Sequence, residues 1–368
     1  MVILINCSNL KIGGGLQVAD SFCRELGVYN QHKFEVVLSS ELCGLSSYLE
    51  RFKNINVYHY DIKNSFSTLI RGRDVFLDAL VFEKNVDVVF TIFGPSRWEP
   101  ICKHLCGFAT GQLVLDKSPY VVNLLSFWSR VKFKLHYKII KFYYLRTCKN
   151  FYTENPNISS AVKLLFKKCN IYTVTNFYNQ IYDNKSIWKN HSLAPFAGVT
   201  LLTITAAYPH KNLRISIEIA KILQQKHINF RFVFTITSQE FGYIPTNLAS
   251  HFLFIGKVEI SECPSLYSQS DIMFQPSLME CFSATYVEAM KMEVPILTTD
   301  LDFAHGLCGN AALYYSPLSA EDAAEKIINI IDNEDLKQSL VENGKQQLLH
   351  FDNYSQRADK LIKILETI

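Results

Sequence analysis

The stretch "DIMFQPSLMECFSATYVEAMKMEVPIL", residues 271–297, reads as strand, loop, helix and strand. "DIMFQ" is a short apolar run, ended by Pro276 and Ser277. "ATYVEAMKM" has helical spacing, and Ser283 to Thr285 suit a helix start. "VPILTT" (294–299) is apolar again. A short buried strand, a helix and a second strand are the unit of a parallel sheet covered on both faces.

The same alternation extends on both sides. Downstream lies "AALYY" (311–315), and upstream lie "TLLTIT" (200–205), "FRFVFTI" (230–236) and "HFLFIG" (251–256). Residues 183–198, "DNKSIWKNHSLAPFAG", break the pattern and read as a linker. Before them "VILIN" (2–6), "FEVVLSS" (34–40), "VDVVFTIF" (86–93), "YVVNLL" (120–125) and "IYTVTN" (171–176) read as strands with helices between. The expected fold is therefore α/β, with two Rossmann-like domains and a ligand cleft between them. The N-terminal domain spans 1–182 and the second domain 199–350. A last helix, 351–368, could pack back on the first domain.

Length and composition agree. The chain has 368 residues, 48% hydrophobic and 19% charged, with a formal net charge of +3. That balance argues against nucleic-acid binding by bulk charge. The start, "MVILINCSNLKIGGG", lacks a basic leader and a long apolar run, so no signal peptide is expected. No apolar stretch is long enough to cross a bilayer. The ten cysteines are scattered without a C-x-x-C pair, which suits reduced thiols in the cytoplasm better than zinc or disulfides.

Two glutamates bracket "CFSAT" in the opening stretch. A helix start leaves free N–H groups, so Ser283, Ala284 and Thr285 offer a place for phosphate. Glu288, about one turn inside the helix, can accept both hydroxyls of a ribose. Glu280, ahead of it, can face a second polyol. The structural alternatives are a carboxylate complementing the helix dipole and a solvated helix residue.

"PSLMECFSATYVEAMKMEVPILTTD" resembles the donor-binding segment of glycosyltransferase family 4, retaining enzymes of the GT-B fold. The family pattern is E-x-F-G-x-x-x-x-E-A; Ser283 stands here in place of its glycine. "LLTITAAYPHKNLRISIEIAKIL" resembles the first strand and helix of the donor domain, "FIGKV" (254–258) its base-binding turn, and "NLKIGGGLQVAD" the glycine-rich loop of the acceptor domain.

The resemblance implies that Glu288 binds the ribose of a UDP- or GDP-sugar, near Val258. Glu280 contacts the transferred sugar, and Lys211 neutralises the diphosphate. The family commonly adds an Arg five positions before that Lys. Here that position is Ala206, with His210 and Arg214 as candidate substitutes. Gly13, Gly14 and Gly15 let backbone approach a ligand or form an ordinary tight turn. His104 matches a family acceptor-domain His loosely and is a catalytic candidate beside a structural reading. No metal and no cofactor beyond the nucleotide-sugar substrate is implied.

Residues 117–153 contain no acid. Lys132, Lys134, Lys138, Lys141 and Arg146 interleave there with Trp128, Phe133, Tyr137, Phe142 and Tyr143. A helix over 129–146 suits an anionic membrane surface or is a domain helix with a solvated basic face. The expected function is hexosyl or deoxyhexosyl transfer to a lipid-linked glycan, as in bacterial O-antigen or capsule synthesis, at the inner face of the cytoplasmic membrane. The alternatives are a GT-B nucleotide-sugar epimerase and a non-catalytic membrane-docked subunit of a glycan assembly complex.

Overall fold

The computed structural model describes residues 1–11 and 13–368, in two compact units. Unit 1 holds residues 1–116, 126–179 and 352–368, and unit 2 holds 117–125 and 180–351.

Unit 1 is built on a seven-stranded sheet in the order β3-β2-β1-β4-β5-β6-β7. The strands are β1 (Val2–Asn6), β2 (Lys33–Leu38), β3 (Ile55–His59), β4 (Val88–Thr91), β5 (Lys103–Gly107), β6 (Asn150–Thr153) and β7 (Asn170–Thr173). Every pairing is parallel. Both faces are covered, as β1 shows. Ile3 and Ile5 join one core with the helices Gly14–Arg24 and Tyr354–Thr367, while Leu4 joins another with Leu77, Leu80 and Trp98. The last helix contributes Ala358, Leu361, Ile362 and Leu365 to the first of these cores.

Unit 2 repeats the topology with a six-stranded parallel sheet, β10-β9-β8-β11-β12-β13. Its strands are β8 (Val199–Thr203), β9 (Phe230–Phe234), β10 (Phe252–Phe254), β11 (Ile272–Gln275), β12 (Ile296–Thr299) and β13 (Ala312–Tyr315). All coincide with the apolar runs read from the sequence.

Unit 1 departs from the sequence reading in two places. "YVVNLL" is not a strand: Tyr120–Leu124 is a helical turn and clusters with unit 2. Pro119 begins that turn at φ −53°, which favours helical entry over an extended chain. The strands absent from that reading are β3, "INVYH", β5, "KHLCG", and β6, "NFYT"; β5 and β6 start with polar residues, and all three are too short for a period to declare itself.

The expected linker is also docked rather than free. Lys189 pairs with Glu259, His191 Nδ1 lies 2.9 Å from Glu262 Oε1, and Leu193 N donates to Gln269 Oε1 at 2.9 Å. Residues 183–198 therefore belong to unit 2, whose long segment begins at residue 180.

Candidate donor site at the end of the unit 2 sheet

In unit 2, β8 and β11 are neighbours although far apart in sequence. The order of connections reverses there, where open α/β sheets bind ligands. The loops leaving these two strands are tied together. Leu278 N donates to His210 O at 2.8 Å, which brings Lys211 beside Glu280. Asn212 turns the chain back at φ 52°, a left-handed geometry that Asn tolerates. Three threonine hydroxyls hold the carbonyls of the β11 end: Thr203 on Phe274 at 2.6 Å, Thr298 on Gln275 at 2.9 Å, and Thr299 on Ser277 at 2.7 Å.

On this frame Lys211 Nζ donates to Glu280 Oε1, and both side chains are largely buried, 14% and 9% exposed. Losing either partner would leave a desolvated charge, so the two fix each other's place. Gln275 Nε2 stands 3.4 Å from Glu280 Oε1 and 3.3 Å from Ser283 Oγ. Ser283 Oγ is in turn 2.8 Å from Thr285 Oγ1. Ser283 occupies the N-cap position of the helix Ala284–Lys291 without a side-chain cap. Its hydroxyl thus serves the polar cluster, and the start of the helix keeps its N–H groups.

Glu288 lies one turn inside, as expected, but is not open to solvent. It is 2% exposed, and Tyr267 donates to its Oε2 at 3.1 Å. The Tyr182 hydroxyl lies against the same carboxylate. Burial pushes the Glu288 carboxyl up to about 7, and the two tyrosines oppose the rise.

Of the two candidates for the missing cation, Arg214 is engaged elsewhere. Arg214 donates to Phe241 O at 3.0 Å and Tyr243 O at 3.1 Å and covers the Phe241 ring, so it ties down the 241–243 loop. His210 stacks on Tyr208 at 5.5 Å and meets Tyr120 edge-on at 6.1 Å. Burial lowers its pKa; the neighbouring Glu280 opposes this and Lys211 adds to it. Burial thus favours the neutral form of the ring.

Near the end of β10, Gly256 adopts φ 72°, and a Cβ there would meet nothing within 4 Å. The glycine is needed for the turn into Val258, and its outer side is open.

In unit 1 the glycine-rich loop follows β1. Gly13 sits at φ 79° and precedes the helix, Gly14 is open on its Cβ side, and Gly15 would bring a Cβ to 3.4 Å from Leu10 and Phe93. Asn9 Nδ2 donates to Phe93 O at 2.7 Å, Ile62 N donates to Ser8 O at 3.2 Å, and Lys11 pairs with Asp61.

His104 has a structural place. It lies within β5, buried, with Nε2 2.9 Å from Thr91 Oγ1 and Nδ1 2.7 Å from Thr147 O. Asn6 Nδ2 donates to Thr91 Oγ1 at 3.3 Å, and Asn6 Oδ1 accepts from Ser8 N and Oγ. With both ring nitrogens engaged, burial lowers its pKa to about 4. The expected catalytic His104 is thus a neutral tie between β4, β5 and the end of the helix Phe127–Thr147.

Sequence reading missed several groups. Gln275 links Glu280 to Ser283, and its signal is the lone polar residue ending "DIMFQ". Tyr182 and Tyr267 had no signal, because the contact is between distant segments. Glu154, past the end of β6, is buried near Arg357, and desolvation raises its pKa to about 8 while Arg357 opposes.

The basic segment is one helix, Phe127–Thr147, capped by Ser126. Phe127, Trp128, Leu135 and Phe142 are exposed, with Lys132, Lys134 and Lys138. Arg146 does not join that surface: it donates to the carbonyls of Thr68, Leu69, Ile70 and Arg97. Among the described residues no helix is long and apolar enough to cross a membrane.

Comparison with known proteins fits this geometry. Residues 184–347 match the family model described as glycosyl transferases group 1. The chain is 22% identical over 233 residues to the O-antigen chain mannosyltransferase of Salmonella typhimurium, covering 61% of this chain and 60% of that one. It is 28% identical over 176 residues to an uncharacterized glycosyltransferase of Methanocaldococcus jannaschii, covering 46% and 47%. The match thus spans about half of each curated relative's length. Among solved structures, a glycosyltransferase from Rickettsia africae superposes with a TM-score of 0.67 at 16% identity, covering 100% of this chain and 97% of that one. An Anabaena protein in complex with UDP and glucose gives 0.68 at 13% identity, covering 100% and 99%. The chain has the two-domain α/β architecture of the GT-B glycosyltransferases, and residues 184–347 of its second unit are similar to the glycosyl transferases group 1 family.

Proposed function

We propose that this protein is a retaining glycosyltransferase that moves a sugar from a nucleoside diphosphate sugar to a hydroxyl of a lipid-linked glycan, in O-antigen or capsule-type synthesis. The observation that carries the reading is the Lys211–Glu280 pair beside the uncapped start of the helix Ala284–Lys291. A cation, a carboxylate and free amides meet where two loops are tied together, which is the chemistry a sugar diphosphate asks for.

In this reading the amides of Ala284 and Thr285, with the Ser283 hydroxyl, receive the diphosphate. Lys211 stabilises the charge that grows on it as the glycosidic bond breaks. Glu280 accepts from hydroxyls of the transferred sugar, and its pairing with Lys211 sets both groups before a donor arrives. Glu288 exchanges a tyrosine hydroxyl for ribose hydroxyls, one donor for another. His210 contributes as a neutral donor. The leaving diphosphate takes the proton of the attacking hydroxyl, so no side-chain nucleophile, metal ion or cofactor is required. Gly256 and Val258 border the base.

Two relatives support the substrate class: one is named an O-antigen chain mannosyltransferase, and one was solved with UDP and glucose. The exposed apolar and basic residues of the helix Phe127–Thr147 suit an anionic lipid surface, hence a place on the inner face of the cytoplasmic membrane.

The test is a screen of UDP- and GDP-sugars with purified protein, read as nucleotide release with and without lipid-linked acceptor. Release that depends on acceptor, with product of retained anomeric configuration, is expected. Isomerised donor without acceptor would instead reveal an epimerase. No release, together with no thermal stabilisation by UDP or GDP, would overturn both enzyme readings. A nucleotide at about 100 times its Kd should add roughly 2.7 kcal/mol.

A further inference from the structure

At the end of the unit 1 sheet away from its centre, the last residue of the edge strand β3 is His59. Its ring nitrogens have different neighbours. Nδ1 lies 3.3 Å from Cys43 Sγ, and Nε2 lies 3.0 Å from Ser46 Oγ. The Ser46 hydroxyl hydrogen is already committed, because Ser46 Oγ donates to Cys43 O at 2.9 Å. Ser46 Oγ can therefore only accept from the imidazole, which puts the ring hydrogen on Nε2. Nδ1 is left as the bare acceptor, and it faces the thiol. The competing acceptor for Sγ, the Ser39 carbonyl, is farther away at 3.7 Å.

A nucleophile, a base and a group that orients the base thus stand in series. The thiol can also be reached. Of the ten cysteines, Cys43 is the exposed one; Cys102, Cys169 and Cys281 are half-buried and the others buried. Burial raises the Cys102 thiol to about 11 and lifts Cys169 as well. None of the groups in the dyad belongs to the donor site in unit 2.

We propose that Cys43, with His59 as its base and Ser46 as the positioning residue, is a selective thiol modification site for small soft electrophiles and hydroperoxides. The thiol proton passes from Sγ to His59 Nδ1. With a hydroperoxide, the thiolate attacks one peroxide oxygen and the O–O bond breaks. Sulfur is oxidised to the sulfenic acid, the peroxide is reduced, and the departing oxygen takes the proton from His59. With an alkyl halide, an S–C bond forms and halide leaves. The dyad adjoins the tether of the glycine-rich loop, since Ser40 N donates at 3.1 Å to Asp61, the partner of Lys11.

The experiment labels the full-length protein with limiting iodoacetamide at neutral pH. Peptide mass spectrometry then reads the rate at each cysteine in the native chain, His59→Gln and Ser46→Ala. A parallel set uses limiting hydrogen peroxide with a sulfenic-acid trap. Cys43 should react first, slow roughly tenfold in His59→Gln, and slow by a smaller factor in Ser46→Ala. Rates at Cys102 and Cys169 should not change. Labelling of buried Cys7 and Cys23 reports any unfolding of a variant. Equal Cys43 rates in the native chain and both folded variants would mean that exposure alone explains the reactivity, and the proposal would fail.

Discussion

Two strand-order reversals, one in each unit, share a topology and differ in chemistry. Between β8 and β11 of unit 2, the strand ends carry an ion pair, Lys211–Glu280, with Gln275 and Ser283 around it. Between β1 and β4 of unit 1, the side chains form a neutral hydrogen-bonded series from Ser8 through Asn6, Thr91 and His104 to Thr147 O. The first arrangement sets a cation against a carboxylate at the strand ends. The second holds strands together and spends its polar groups on one another. Winding order fixes where a site can be, and side-chain chemistry decides whether one is there.

The comparison breaks most visibly at Lys211. Lys211→Ala should cost about 100- to 1,000-fold in sugar transfer and lower the melting temperature, because Glu280 keeps a largely buried charge without a partner. Transfer assays and thermal unfolding on the same preparation check both effects. Native-like transfer would remove Lys211 from the donor site.

Glu288→Gln is the next largest. The folded-state pKa of Glu288 is raised to about 7 by burial, so the folded protein holds a proton that the unfolded chain gives up. Stability from this group is full below the ordinary carboxylate range and falls as pH rises to about 7. The loss is on the order of 3 kcal/mol. Denaturant unfolding at several pH values should show that slope in the native chain and a flatter one in Glu288→Gln.

His104→Phe sharpens the other side. It leaves the Thr91 hydroxyl and the Thr147 carbonyl without their partner and should cost about 2 kcal/mol. Nucleotide binding, read by thermal shift with UDP and GDP, should be unchanged. Burial depresses the His104 pKa to about 4, so the native chain loses stability as pH falls from the ordinary His value towards 4, and the variant lacks that loss. A changed nucleotide affinity would show that unit 1 chemistry reaches the donor.

The smallest effect belongs to Ser283→Ala. Since Ser283 makes no side-chain cap, the change should cost under about 1 kcal/mol of stability. A rise in KM for donor with little change in kcat would mark the hydroxyl as a phosphate contact.

The six strands of unit 2 were legible because each is an apolar run bounded by turn residues. The placement of Glu280, Ser283 and Glu288 around a helix start was legible for the same reason. In unit 1, β5 and β6 were hidden by polar first residues, while "YVVNLL" imitated a strand until Pro119 started a turn.

What the sequence by itself determined is the alternation of strands and helices, the two-unit plan and the short segment that unites carboxylate, helix start and carboxylate. All of these are local patterns, written within a few residues of one another. Tertiary structure alone decided which groups are free to act. Tyr182 and Tyr267 close over Glu288, carbonyls of the 241–243 loop capture Arg214, and Thr91 and Thr147 engage His104. Each partner comes from a different segment of the same unit, and burial at that contact sets the protonation state. A linear pattern carries neither the contact nor the loss of water that comes with it.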